Sequence, residues 1–155
     1  CRELGADAVI NYREEDFVER IRGITGTDGQ PGDGADVILD VVGAKYLDRN
    51  LKALALDGRL TIIGLQGGTK AEANLGRMLP RRLTVMATTL RARPADQKAQ
   101  IVQDVAGSVW QQAKDGEIRA IVDSEFPLED AAAAHQRMED GENIGKILLR
   151  VAADS

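Results

Sequence analysis

The sequence predicts an α/β fold built on a parallel sheet, and three observations support this. Residues 35–42 (ADVILDVV) form a continuous apolar run, which is typical of a strand covered on both faces. An amphipathic stretch and a second strand follow at 44–55 (AKYLDRNLKALA) and 59–63 (RLTII), close to the length of a minimal strand–helix–strand unit. Glycines follow both strands, at Gly43 and Gly64. We therefore expect a partial parallel sheet with helices on both faces and ligand-binding loops at the carboxyl ends of its strands.

The segment before this unit predicts one strand and one helix. Residues 8–11 (AVIN) form a short apolar run typical of a strand. Phe17, Ile21 and Ile24 share one helical face, with acidic residues 14–16 in the first turn, where the helix dipole favours anions. Residues 26–34 (GTDGQPGDG) predict a loop.

The segment after the unit alternates between the two element types. We predict a short helix at 74–81 that ends near Pro80, an edge strand at 82–90 and a long amphipathic helix at 95–116. An extended segment at 118–127, a further helix at 128–141 and a final strand at 145–151 follow.

Composition excludes several classes of protein. The chain has 155 residues, enough for one ordinary domain, with 43% hydrophobic and 29% charged residues. Its net charge of −5 argues against a nucleic-acid partner. No apolar run is long enough for a transmembrane helix, so no membrane partner is expected. The single cysteine, Cys1, cannot form an internal disulfide, which favours a cytoplasmic location.

Neither a metal site nor a nucleophilic triad is predicted. Cys1 and His135 are the only cysteine and histidine, and a zinc site needs about four ligands. A triad would have to use His135, which lies in the alanine-rich helical segment 130–140 without a nucleophile turn.

The stretch DGRLTIIGLQGG (57–68) runs from a strand into a glycine-rich loop. Its glycine spacing matches neither G-x-G-x-x-G nor the G-x-x-x-x-G-K-[ST] pattern, so it is not a pyrophosphate-binding turn. Two interpretations remain open. The glycines either allow backbone to approach a ligand closely, or they form an ordinary strand-to-helix turn.

Three separated stretches resemble one known family. LGADAVINYREEDF, GADVILDVVGAKYLDRNLKALALDGRLTIIGLQGG and FPLEDAAAAHQRMEDGENIGKILLRV occur in the order found in medium-chain dehydrogenases/reductases. The resemblance is to the C-terminal half of the zinc-independent NADPH:quinone oxidoreductases, the zeta-crystallin branch. It implies strands 3 to 6 of a Rossmann sheet of order 3-2-1-4-5-6. It also implies two parts, residues 1–115 in the dinucleotide-binding domain and 116–155 returning to a GroES-like catalytic domain.

The resemblance further implies which residues contact NADPH. Tyr12 and Arg13 would lie at the adenosine 2′-phosphate, the loop at Gly43 and Ala44 near the adenosine, and the next loop near the nicotinamide ribose. Two alternatives stay open: an ion pair between Arg13 and the acidic residues 14–16, and a purely structural role for Asn143 in a turn. The complete implied cofactor-binding set is Tyr12, Arg13, Gly43, Gly64, Leu65, Gly67, Leu90, Arg91, Ala92 and Asn143.

The implied function is metal-free hydride transfer from NADPH to a quinone, or to a related enone or aldehyde. No catalytic residue is assigned, and a homodimer through residues 83–90 is implied. Because the pyrophosphate turn and the GroES-like domain are not in this sequence, we expect the chain alone to be inactive as a reductase. The alternatives are a non-catalytic nucleotide-binding or dimerisation module, and another Rossmann-class enzyme such as a methyltransferase.

Overall fold

The computed structural model describes residues 1–27, 30 and 32–151. The chain divides into two compact units, residues 1–93 and 94–155. The long helix α4 (Ala95–Lys114) belongs to the second unit. The expected division between residues 1–115, in a dinucleotide-binding domain, and 116–155, returning to a catalytic domain, stays a prediction.

The first unit holds a three-stranded parallel sheet in the order β1-β2-β3. This confirms the α/β class and the strand–helix–strand unit. Its strands and helices are β1 (Ala35–Asp40), β2 (Leu54–Ile62), β3 (Thr84–Ala87), α1 (Phe17–Thr25), α2 (Leu47–Ala53) and α3 (Leu75–Arg81), with a 3-10 turn at Ala44–Tyr46.

The core of this unit is small and lies between helices and one face of the sheet. Leu51, Leu54 and Leu60 are fully buried, and each such burial contributes about 1.5–3 kcal/mol relative to an exposed side chain. Partly buried apolar side chains from β1, α2, β2 and α3, and from the residue before β3, pack on this cluster; they are Ile38, Leu47, Ile62, Met78 and Leu83.

The other face of the sheet is exposed. Val37 and Leu39 alternate with the core residue Ile38 along β1, and they are 56% and 66% exposed. Met86 on β3 lies in register with Thr61 on the same face and is 45% exposed. The side chains of α2 and α3 in the core cluster pack against the opposite face, that of Ile38 and Leu60.

Residues 8–11 do not form the predicted strand; their backbone is irregular. A strand is stable only when its backbone groups pair with a neighbour, and no described strand pairs with this segment. The local sequence favours extension, but Val9 and Ile10 are only half-buried.

The boundary between α2 and β2 differs from the prediction. The helix ends at Ala53 and the strand begins at Leu54, because Leu54 already pairs with Ala35 across a bulge. Asp57 lies inside this strand at φ 60°, in the left-handed region. Two hydrogen bonds from Arg82, at 2.7 and 2.6 Å, hold its side chain and lower the pKa of the Asp57 carboxyl.

The N-terminus of α1 is fixed by its cap. The Asp16 carboxylate accepts hydrogen bonds from the amides of Val18 (2.8 Å) and Glu19 (3.2 Å), so the helix begins at Phe17 rather than at residue 14. These bonds, that of Glu19 first, and the Arg49 guanidinium lower the pKa of Asp16.

The second unit contains a further parallel pair. β4 (Val122–Pro127) pairs with β5 (Lys146–Arg150), and α5 (Ala131–Glu139) connects them after a 3-10 turn at Leu128–Asp130. This agrees with the predicted order of extended segment, helix and strand. Among the described residues of the second unit, Ala134 of α5 is the buried apolar one.

Candidate functional site

The candidate site lies where the three parallel strands of the first unit end. Because these strands run in one direction, the loops that follow β1, β2 and β3 meet at a single edge of the sheet. Ligands of open α/β sheets bind at such an edge.

The loops after β1 and β2 are joined by backbone hydrogen bonds. The amide of Gly67 donates to Val42 O at 2.7 Å, and that of Gln66 donates to Val41 O at 3.2 Å. In the opposite direction, the amide of Ala44 donates to the carbonyl of residue 68 at 3.1 Å. The two loops therefore form one structural element.

Glycine is required where these loops touch. A Cβ at Gly64 would lie 2.7 Å from the Val41 carbonyl oxygen, and one at Gly67 would lie 2.7 Å from Val42 Cγ1. Gly43 adopts φ 79°, a conformation that favours glycine. The backbone that these glycines approach is therefore the neighbouring loop of the chain itself.

A buried carboxylate organises the end of β1. Asp40 is 5% exposed, and its oxygens accept hydrogen bonds from the amides of Val42 (2.9 Å) and Gly43 (2.7 Å). Asp40 was not predicted from the sequence. The available signal was an aspartate directly before the turn at residues 41–43 (VVG), because aspartate side chains in turns commonly accept hydrogen bonds from the amides that follow them.

A crevice of about 750 Å³ opens between the ends of β2 and β3. Its floor is apolar, and the wall formed by residues 88–93 carries the hydroxyl groups of two threonines and the guanidinium groups of two arginines. The lining residues are Ile62, Ile63, Gly64, Leu65, Ala87, Thr88, Thr89, Arg91 and Arg93.

A second cavity, of about 600 Å³, lies beside the end of β1 and is bounded by α1 and α2. Phe17 and Tyr46 stack there with ring centroids 5.4 Å apart, and the Arg49 guanidinium lies 4.3 Å from the Phe17 ring centroid. The lining residues are Tyr12, Phe17, Ile21, Ile38, Leu39, Asp40, Val41, Val42, Lys45, Tyr46, Asn50, Gln66 and Gly67. We call the first space the β2–β3 crevice and the second the aromatic cavity.

The structure brings together some of the expected cofactor-binding residues. Gly64, Leu65 and Arg91 line the β2–β3 crevice, whereas Tyr12 and Gly67 line the aromatic cavity. Gly43, Arg13, Leu90 and Ala92 belong to the same unit without lining either space.

The structure describes contacts near both Arg13 and Asn143. Two of the three acidic residues that follow Arg13 pair with other arginines, Glu15 with Arg20 at 2.6 Å and Asp16 with Arg49 at 3.1 Å. Asn143 lies in the second unit, and its amide donates to Gly145 O at 3.1 Å, as the turn interpretation expects.

Several lining residues were not predicted. Thr88, Thr89 and Arg93 directly follow β3, so the rule that ligands lie beyond strand ends indicates them. The same rule indicates Lys45, in the 3-10 turn after β1. Asn50 carries no such signal, because its position depends on how α2 packs against the sheet.

Within residues 1–27, 30 and 32–151, no three histidine, cysteine or acidic side chains are grouped closely enough to hold a metal ion. In the same part of the chain, no helix is both long and apolar enough to span a bilayer.

Parallel strands with ligand-sized spaces at their carboxyl ends are typical of open α/β domains, whose ligands bind at this edge. The chain belongs to the zinc-binding dehydrogenase family, whose model matches residues 4–149. The described residues do not fit a zinc ion, because no three histidine, cysteine or acidic side chains among them lie close enough together to bind one.

Individual relatives agree with this assignment. Quinone oxidoreductase 1 of Escherichia coli (strain K12) is 31% identical over 149 residues, which is 95% of this chain and 44% of the relative. The 2-haloacrylate reductase of Burkholderia sp is 30% identical over 149 residues, 96% of this chain and 43% of the relative. The chain thus spans about two fifths of the length of the curated relatives it matches.

Solved structures show the same fold. The structure of Escherichia coli quinone oxidoreductase complexed with NADPH superimposes with a TM-score of 0.75 at 29% identity. The match covers 94% of this chain and 44% of that one.

Proposed function

We propose that this chain is the cofactor-binding part of a reductase that uses NADPH. The observation that carries the proposal is the pair of ligand-sized spaces at the carboxyl ends of the parallel strands, separated by the loop at 64–68. Membership of a dehydrogenase family and likeness to an NADPH-bound quinone oxidoreductase support it.

We propose that the aromatic cavity binds the adenosine end of the cofactor. Tyr12 is 60% exposed at this cavity, so its ring and hydroxyl are accessible to a ligand. Phe17 and Tyr46 provide flat apolar surface for a base, and Lys45 provides a positive charge for a phosphate. Arg13, whose guanidinium carbon lies 6.0 Å from the Tyr12 ring centroid, adds a second positive charge.

The nicotinamide end then occupies the β2–β3 crevice. Gly64 and Leu65 form one wall of this crevice, and the segment 90–92 continues from the other wall. When bound, the cofactor supplies the hydride. The residues of this chain orient it through backbone contacts, and the apolar floor formed by Ile62, Ile63 and Ala87 excludes water.

The proposed substrate is a quinone, or a related enone or aldehyde. An apolar floor beside the nicotinamide position suits a flat unsaturated ring, and the relatives are named as a quinone oxidoreductase and a 2-haloacrylate reductase. No side chain of the described residues is assigned as a catalytic acid or base. The proposed location is the cytoplasm, which the single cysteine favours.

We also propose a homodimer through residues 83–90. β3 is an edge strand, and all four of its residues are exposed, so its outer backbone groups are accessible to a second copy. A purely structural dimerisation module would use the same edge without binding a cofactor.

The test is a fluorescence titration of the 155-residue chain with NADPH and NADH. We expect saturable binding that favours NADPH, and Tyr12→Ala should weaken NADPH binding by about tenfold, the effect of losing one charge-assisted contact. Arg2→Gln, an exposed charge change that lines neither space, is the control. Absence of NADPH binding at millimolar concentration would contradict the proposal and leave the dimerisation module.

Turnover is measured in the same samples. We expect the chain to bind NADPH without oxidising it in the presence of a quinone, because it spans two fifths of its relatives. Quinone-dependent oxidation would show that these residues suffice for the reaction.

A further inference from the structure

We propose that Arg49 is a positioning residue of the aromatic cavity, because it holds the Phe17 ring against the Tyr46 ring and so maintains the flat surface on which the base of the cofactor packs. The inference rests on the proposed function and assigns a role to a side chain that does not itself line the cavity. We call the contacts among Asp16, Phe17, Tyr46 and Arg49 the arginine clamp.

The first argument is the geometry of the arginine clamp. Arg49 lies in α2, and its Nη2 donates to Asp16 Oδ2, on the residue that caps α1, at 3.1 Å. Its guanidinium carbon lies 4.3 Å from the Phe17 ring centroid and 5.5 Å from that of Tyr46. The two rings are stacked, with centroids 5.4 Å apart and 27° between their planes. One planar cation therefore contacts both rings and the cap of α1.

The second argument is that α1 has little else to hold it. This helix forms one side of the aromatic cavity through Phe17 and Ile21. All of α1 lies within the part of the chain that the structure describes, and none of its residues is buried. Near its other end, Arg22 Nη2 donates to Lys52 O at 3.3 Å. Because an element with little burial opens at low cost in free energy, the clamp determines whether Phe17 stays against Tyr46.

The clamp affects ligand binding through the fraction of molecules whose rings are in place. The apparent affinity for a base equals the intrinsic affinity multiplied by that fraction. Loss of the cation–π contacts and of one partly exposed ion pair should reduce the fraction about fivefold. Because Arg49 acts through the rings, a neutral ligand of the aromatic cavity should lose as much affinity as an anionic one. A ligand of the β2–β3 crevice should lose none.

The experiment titrates the full 155-residue chain with three probes and follows binding by NMR. Adenosine 2′,5′-bisphosphate represents the adenosine end of NADPH, adenosine is its neutral counterpart, and nicotinamide mononucleotide represents the other end. Arg49→Gln should weaken the binding of both adenosine probes about fivefold and leave the mononucleotide affinity and the amide signals of 62–65 unchanged. Contacts between the Phe17 and Tyr46 rings are measured in the same samples and should be lost in the variant.

Three further variants complete the design. Arg20→Gln is the charge-matched control, because Arg20 of α1 pairs with Glu15 at 2.6 Å and does not line the cavity, and it should leave every affinity unchanged. Arg49→Lys keeps a charge beside Asp16 without the planar group and should cost about twofold; it decides the question if Arg49→Gln fails to fold. In a Phe17→Leu background, Arg49→Gln should cause no further loss, because the ring through which it acts is absent.

The outcomes separate this inference from the proposed function. If the wild type binds neither adenosine probe, the proposed function fails and the inference fails with it. If the wild type binds both and Arg49→Gln weakens only the bisphosphate, Arg49 acts by its charge on the ligand, and the positioning role is wrong. Unchanged affinity for both probes, or an equal loss for the mononucleotide, would overturn it too, as would additive losses in the Phe17→Leu background.

Discussion

Arg137 of α5 donates two hydrogen bonds to Asp123 of β4, from Nε to Oδ2 at 2.5 Å and from Nη2 to Oδ1 at 2.9 Å. The same carboxylate accepts from Ser124 Oγ at 2.8 Å and from the Ile144 amide at 3.0 Å. One side chain therefore connects β4, α5 and the turn that precedes β5.

The Asp123 network predicts a pH dependence of stability. Hydrogen bonds, first from Arg137 and then from the Ile144 amide, hold the pKa of Asp123 well below its usual range. The folded state therefore favours the ionised form, and its contribution is complete above the unfolded pKa of about 4 and is lost as pH falls below it. Asp123→Asn should lower the melting temperature at pH 7, and the difference from wild type should narrow as pH falls below about 4. An exposed control, Asp7→Asn, should show no such narrowing; a constant difference for Asp123→Asn would contradict the assignment.

Gly64→Ala should destabilise the joined loops. The added Cβ would lie 2.7 Å from the Val41 carbonyl, and backbone cannot give way as a flexible side chain does. We expect a loss of about 1–3 kcal/mol in the free energy of unfolding. The control is Gly107→Ala inside α4, where a Cβ meets nothing within 4 Å and should stabilise by about 0.5–1 kcal/mol. Thermal or urea unfolding measures both; an unchanged Gly64→Ala stability would mean that the loops separate easily.

Asn50→Leu should stabilise the protein. Asn50 is 3% exposed, and its Nδ2 has no hydrogen-bond partner among the described residues. Replacing an unsatisfied buried donor by an apolar group of similar branching, in a helix that favours leucine, should add about 1 kcal/mol to the free energy of unfolding. Asn50→Asp, which buries a charge instead, should lose about 2 kcal/mol or more. Destabilisation by the leucine variant would show that the amide makes a bond in solution.

Val85→Pro should prevent association through β3. The Thr88 amide donates to Ile62 O at 3.1 Å, so alternation along the strand directs the N–H of Val85 toward the open edge. Proline removes that outward donor and leaves the pairing with β2 intact. Analytical ultracentrifugation should show a dimer for the wild type and a monomer for the variant. A wild-type chain that sediments as a monomer at all concentrations would refute the proposed interface.

The sequence predicted those elements whose signals are local. The apolar run at 35–42, the heptad-like spacing of 44–55 and the glycine-rich turn after β2 each specify a structure within a few residues. Residues 8–11 carried an equally good local pattern, but a strand depends on its hydrogen-bonding neighbour as much as on its own side chains.

The candidate site was predicted in part for the same reason. Gly64 follows a strand end in the sequence, so its position indicates it, whereas Leu65 and Arg91 were implied by the family resemblance. Asn50 reaches the aromatic cavity through the packing of α2, Lys45 reaches it from the 3-10 turn before α2, and Asp40 is buried by the turn that it caps. These placements depend on contacts between elements, which the spacing of residues in one segment does not determine.

The loop at 64–68 contributes to both spaces: Gly64 and Leu65 face the β2–β3 crevice, while Gln66 and Gly67 face the aromatic cavity. Its thickness is fixed by hydrogen bonds to the loop after β1. Under the proposed function, a cofactor that fills both spaces passes around this loop, so the thickness of the loop sets the shortest linker that can join the two ring systems of the cofactor. On the same proposal, lengthening the loop by one residue would change the linker length that fits.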